Sequence, residues 1–108
     1  MSSPDTLARL EATIATRLGA DPDSSYVARL KAKGTGKIAQ KLGEEATETV
    51  IAALTESREA LVGEAADLVF HLMVLLADRD VPLADVMAEL DRREGTSGIA
   101  EKAARPKD

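Results

Sequence analysis

The sequence predicts an all-α fold, a bundle of four to five helices. Three observations carry that prediction. Apolar residues make up 44% of the chain but aromatic ones only 2%, so Leu, Val, Ile and Ala must build the core. Such sequence, rich also in Glu and Arg, favours helix over strand. Apolar residues return at three- and four-residue steps in segment after segment, and no stretch alternates as a strand would. No repeat of 20–50 residues is evident. With 108 residues and 11.4 kDa, the chain makes one domain with a modest core. Residues 1–94 read as the helical domain and 95–108 as a tail that orders on a ligand or partner.

Pro4 and Asp5 open the first helix. Leu7, Leu10, Ile14, Ala15 and Leu18 give it an amphipathic stripe, and Gly19 suits the position just past its end. Ser24 or Ser25 caps a short second helix through about Ala32, with Val27 and Leu30 facing inward. Lys33-Gly34-Thr35-Gly36 then breaks the chain. A helix N-terminus behind such a turn suits a phosphate, but the spacing is not that of a Walker loop, and a plain interhelical turn is the simpler reading.

The third helix, Gly36 to about Leu54, organises the rest. Its apolar stripe is Ile38, Leu42, Ala46, Thr49, Val50, Ala53 and Leu54. At ~100° per residue, Lys37, Lys41, Glu44, Glu45 and Glu48 point roughly 150° away from it. Ser57 caps the fourth helix, which runs to about Asp78. There Glu64, Asp67 and His71 share one edge, and Val62, Ala65, Val69, Leu72, Met73 and Leu76 the other. Leu68 to Ala77 is apolar except for His71, so this helix should be central and the most buried. Gly63 inside it needs a packing reason or marks the true start. Asp78-Arg79-Asp80 ends it. Pro82 suits the first turn of a fifth helix, whose inner face is Leu83, Val86, Met87 and Leu90 and which stops at Gly95.

The formal net charge is -5. An acidic chain is a poor non-specific binder of nucleic acid or of an anionic membrane, and it repels polyphosphate unless a cation intervenes. There is no cysteine, hence no disulfide framework and no thiolate metal site, as a reducing cytoplasm would suit. The N-terminal stretch has no secretory pattern, and the longest apolar run, Leu72 to Ala77, is far short of the ~20 residues that span a bilayer. A cytoplasmic location follows as an expectation.

Glu45 and Glu48 are three residues apart, as are Glu64 and Asp67. That spacing puts each pair on one helix face with Cβ atoms ~5–6 Å apart. Two pairs on antiparallel helices can meet at one point, where four like charges need a cation. All-oxygen ligation favours Mg2+ or Mn2+ over zinc. The plainer alternative is a solvated acidic face with ordinary lysine pairs. Against it, the second pair lies on the most apolar helix, where charge is expensive unless paired. His71 reads either as a partly buried imidazole bonded to Asp67 or as a group that contacts substrate. The lone histidine four residues after Asp67 does not fit the Glu-x-x-His pattern of di-iron bundles.

KIAQKLGEEATETVIAA, EAADLVFHLMVLL and ELDRREGTSGIAEKAAR resemble the phosphoribosyl-ATP pyrophosphohydrolase family of histidine biosynthesis, in its stand-alone form. The E-E-x-x-E and E-x-x-D pair marks the wider MazG-type, all-α NTP pyrophosphatase superfamily. The K-x-x-Q-K-x-G before it, the histidine after it and the closing G-T-S-G-x-x-E-K mark this member. The resemblance implies Mg2+-dependent hydrolysis of phosphoribosyl-ATP to phosphoribosyl-AMP and pyrophosphate by a homodimer. It makes Glu45, Glu48, Glu64 and Asp67 the metal carboxylates, with Glu44 as a further ligand or water-orienting base. In the mechanism this suggests, either Glu44 or Glu48 accepts the proton of the attacking water, and the sequence does not choose between them. Lys37 and Lys41 would contact phosphates, as would His71, Lys102 and Arg105 in a looser match. Thr47 and Thr49 stand where the family pattern has Ala or Val. Two other readings stay open: a relative in the superfamily that removes non-standard nucleotides, and a non-enzymatic helical interaction module.

Overall fold

The computed structural model describes residues 5–95, Gly98, Lys102, Ala103 and Arg105. They form five helices: α1 (Thr6–Leu18), α2 (Tyr26–Lys33), α3 (Thr35–Thr55), α4 (Arg58–Asp78) and α5 (Leu83–Arg93). Among the described residues there is no strand. The all-α expectation holds. Pro4 and most of the tail lie outside the described residues.

The caps explain the boundaries. The Ser25 hydroxyl accepts the Ala28 N–H at 3.1 Å, and the Ser57 hydroxyl accepts the Ala60 N–H at 3.1 Å. Gly34, at φ 96°, is the only residue between α2 and α3, so the break is shorter than the four residues expected. The positive φ explains the glycine. Asp80 takes φ 57° at the end of α4, with Asp80 N–H on the Ala77 carbonyl and Val81 N–H on the Leu76 carbonyl. That is a Schellman ending with aspartate in the left-handed position. Gly19 ends α1 without one, at φ -96°.

α3 and α4 are each 21 residues long, joined by Glu56 and Ser57, and pack as an antiparallel hairpin. Asp78 fastens one end. Its carboxylate accepts from Lys31 Nζ at 2.8 Å and Thr35 Oγ1 at 2.6 Å. The N-terminus of α3 thus already faces a carboxylate, which favours the plain-turn reading of Lys33 to Gly36. α1 packs against α4, and α2 against α3 and α1. Ile14, Val27, Leu30, Ile38, Met73 and Val74 form the core there, with Leu10, Leu18, Phe70 and Leu83 against it. Just beyond the end of α4, Glu11 on α1 accepts the Leu83 N–H at 2.7 Å and so caps α5.

Three expectations need correction. The direction in which α3 packs lies between its two stripes. Ile38, Glu45 and Ala52, seven apart, are its buried residues, while Val50 and Leu54 of the expected inner stripe are exposed, Leu54 at 79%. α4 is central, but it is not the most buried element. Only His71, Met73 and Val74 are buried, and Val62 is 62% exposed with Val69 and Leu72 also open. α5 buries no residue, and Met87 and Leu90 of its expected inner face are exposed. Gly63 lies well inside α4, with nothing within 4 Å of where a Cβ would stand, so neither explanation offered for it holds in this chain. By length and composition alone α4 is also long and apolar enough to cross a bilayer, at a mean hydropathy of 1.8. Core helices pass the same test, and α4 packs against α1 and α3.

Candidate active site

The hairpin brings three of the four expected metal carboxylates together. One carboxylate oxygen from each of Glu45, Glu48 and Glu64 lies within 4.8 Å of the others. Glu45 is 8% exposed, Glu64 is half-buried and Glu48 faces solvent. Oε2 of Glu45 and Oε2 of Glu64 are buried with no hydrogen-bond partner. Burial pushes both carboxyl groups above the usual range, and the adjacent Glu48 carboxylate pushes them further. Two orphaned anionic oxygens beside a third carboxylate are costly as they stand. A hard divalent cation would satisfy all three with oxygen ligands. The donor set therefore fits a metal ion, as an ordinary solvated acidic face does not.

Asp67, the fourth expected ligand, is exposed and outside this triad, though its charge acts on both Glu45 and Glu64. Its main chain has a separate task. His71, 6% exposed, places Nδ1 2.7 Å from the Asp67 carbonyl oxygen and Nε2 2.8 Å from the Tyr26 hydroxyl. A carbonyl only accepts, so Nδ1 carries the proton. In the neutral ring Nε2 then accepts from Tyr26. The expected bond to Asp67 thus goes to its main chain, and both ring nitrogens are engaged within the protein.

Glu44 also stands outside the triad. Its carboxylate accepts from Gln40 Nε2 at 2.8 Å and Lys41 Nζ at 3.2 Å, which holds it below the usual range. The same bond raises Lys41. Lys37 is half-buried one turn earlier, and its charge reaches Glu44. The charge of Lys41 also reaches Glu45, so this lysine stands beside the cluster. Lys102 and Arg105 are exposed, and no hydrogen bond or ion pair links them to the cluster.

Thr49 does more than its sequence suggested. Its hydroxyl is 2.7 Å from the Glu45 carbonyl and 3.2 Å from the Glu64 carbonyl, joining α3 to α4 beside two of the carboxylates. Tyr26 was also missed. Lying far from the acidic motifs in the chain, it comes near them only because α2 packs against α3, where the Tyr26 hydroxyl meets His71 of α4.

The geometry is that of a helical hairpin on which the Glu45, Glu48 and Glu64 carboxylates converge. The family model described as phosphoribosyl-ATP pyrophosphohydrolase matches residues 7–94. The chain belongs to the phosphoribosyl-ATP pyrophosphohydrolase family. The phosphoribosyl-ATP pyrophosphatase of Rhizorhabdus wittichii is 72% identical over 102 residues, covering 94% of this chain and 96% of that one. That of Novosphingobium aromaticivorans is 70% identical over 105 residues, covering 97% and 98%. That of Zymomonas mobilis is 60% identical over 105 residues, again covering 97% and 98%. The match to the phosphoribosyl-ATP pyrophosphohydrolase family includes all of the hairpin and every carboxylate of the cluster.

Proposed function

We propose that this chain hydrolyses phosphoribosyl-ATP to phosphoribosyl-AMP and pyrophosphate, the second step of histidine biosynthesis, in the cytoplasm. The observation that carries this reading is the convergence of Glu45, Glu48 and Glu64, with two orphaned buried oxygens, in a chain of this family. Glu45, Glu48 and Glu64 would hold Mg2+, or Mn2+ in its place, with Asp67 as a further carboxylate within electrostatic reach. When bound, the divalent ion gathers phosphate oxygens and makes water a better nucleophile.

The side chains supply the rest. Lys37 and Lys41 draw the triphosphate to an otherwise repelling chain and offset charge on the departing pyrophosphate. Glu44 holds Lys41 in place. Glu48, the exposed member of the cluster, takes the proton of the attacking water as the phosphoanhydride bond breaks. His71 holds its edge of α4 to α2, and Lys102 and Arg105 remain candidates for the phosphoribosyl end.

The test is pyrophosphate release from phosphoribosyl-ATP by the purified chain with Mg2+, with and without chelator. Glu48→Gln should remove most turnover while leaving the helical circular dichroism intact. A panel of dNTPs hydrolysed with higher kcat/KM would favour the house-cleaning alternative. Absence of stoichiometric Mg2+ binding would favour the interaction module.

We further infer a homodimer. At ~100° per residue, Val50 and Leu54 lie on the side of α3 turned away from Lys41 and Glu48, and Val62 and Val69 share one side of α4. All four are exposed in the single chain. A second copy of the hairpin would cover them.

A further inference from the structure

The chain has one tyrosine, one phenylalanine and no tryptophan. Both aromatic rings lie together beside His71. Tyr26 and Phe70 have centroids 6.3 Å apart with planes inclined at 27°, and the His71 ring stands edge-on to both. Phe70 is partly covered by the core, but Tyr26 is 43% exposed. Through His71 its hydroxyl is tied to the Asp67 main chain, and the charges of Lys41, Glu45, Asp67 and Glu44 act on it.

An exposed tyrosine on a helical surface is usually free to move between rotamers. This one is not. Its hydroxyl is spent on buried His71 at 2.8 Å, which leans in turn on the Asp67 main chain, and one side of the ring rests on Phe70. The ring is held in place while the residue stays 43% exposed. A rigid aromatic surface loses little conformational entropy when a flat ligand stacks on it. The cluster's other end, at Ile51 and Glu56, has no ring to offer.

We propose that Tyr26 is the stacking surface for the purine base of the nucleotide. This rests on the nucleotide-hydrolase reading above. The Tyr26–His71 bond then has a purpose: it fixes the stacking ring relative to Asp67, and so relative to the phosphates.

Because Tyr26 is the sole tyrosine, its ring protons can be followed by NMR without ambiguity. Titration of the wild-type chain with phosphoribosyl-AMP and Mg2+ should shift them upfield, and titration with pyrophosphate and Mg2+ should not. Tyr26→Leu should raise KM by about tenfold, the scale of one base–aromatic stack, with kcat within about twofold. Tyr26→Phe keeps a ring and should restore most of the loss. Tyr26 ring signals that stay fixed while other residues respond to phosphoribosyl-AMP would overturn the assignment, as would an unchanged KM in Tyr26→Leu. If Tyr26→Leu fails to fold, the wild-type ring shifts decide alone. A wild-type chain that releases no pyrophosphate from phosphoribosyl-ATP would instead sink the hydrolase reading itself.

Discussion

The Thr49 hydroxyl lies 3.2 Å from the main-chain carbonyl of Glu64 while donating to the Glu45 carbonyl at 2.7 Å. One proton is shared between two helices at the level where both present a buried carboxylate. Thr49→Val keeps the shape and removes the hydroxyl. It should cost about 1 kcal/mol, the net worth of an ordinary hydrogen bond. For a domain of this size that lowers Tm by about 4–8 °C. It should also weaken Mg2+ binding several-fold, because Glu45 and Glu64 lose a tie that sets their separation. Calorimetry of melting and Mg2+ titration check the two effects. Unchanged values in both would reduce the hydroxyl to decoration.

Glu45 sets stability against function. Its Oε2 is buried without a partner, and burial and the Glu48 carboxylate raise its pKa. Glu45→Gln removes a charge that the metal-free fold holds at a cost, and gives Glu48 an N–H donor. Without metal the variant should therefore melt at a higher temperature than wild type. With millimolar MgCl2 the order should reverse, because only wild type gains stability from binding the ion. Melting curves with and without MgCl2 measure this directly. A variant less stable than wild type in chelator would show that the carboxylate is not strained in the empty site.

How much of this was legible in the sequence follows from which forces act locally. Ser25, Ser57, Gly34 and Pro82 announce the helix ends because capping and φ constraints involve only near neighbours. The pairing of Glu45 and Glu48 with Glu64 was legible because three-residue spacing fixes a helix face. The rotation of α3 was not. Its stripe is broad enough to pack in several directions, and burying Glu45 beside Ile38 and Ala52 contradicts the simple rule that charges face out. Tyr26 and Asp78 were invisible for another reason. Their partners, His71 on one side and Lys31 and Thr35 on the other, are set by tertiary folding and carry no spacing signal.

Asp78 predicts a pH dependence. Its side chain is 3% exposed, and bonds from Lys31 and Thr35 hold its carboxyl below the usual value. A depressed folded-state pKa gives stability that is present above the unfolded-state pKa near 4. It is lost as pH falls through the lower folded-state value. Wild type should therefore lose stability progressively below about pH 4. Asp78→Asn should be less stable at pH 7 by roughly 1.5–3 kcal/mol, the range for a hydrogen bond to a charged group. It should also show a shallower acid slope, since the titrating group is gone. Urea melts of both proteins between pH 2.5 and 7 provide the comparison. Parallel slopes would mean that other carboxylates carry the acid sensitivity.

The exposed side of the hairpin makes the last prediction. Among the described residues Leu54 is the most open of the large apolar ones at 79%, and Val50, Val62 and Val69 on the same hairpin are exposed too. Burying a leucine contributes about 1.5–3 kcal/mol, so one such residue at a two-fold interface acts twice. Leu54→Lys should disrupt that contact at little cost to the single chain. The position is already in water, lysine is a good helix former, and a cation near the end of α3 suits the helix dipole. Sedimentation equilibrium should give wild type twice the 11.4 kDa chain mass at micromolar concentration. The variant should approach the single mass with its helical circular dichroism retained. A wild-type chain that sediments at its own mass would leave this apolar face without the partner assigned to it.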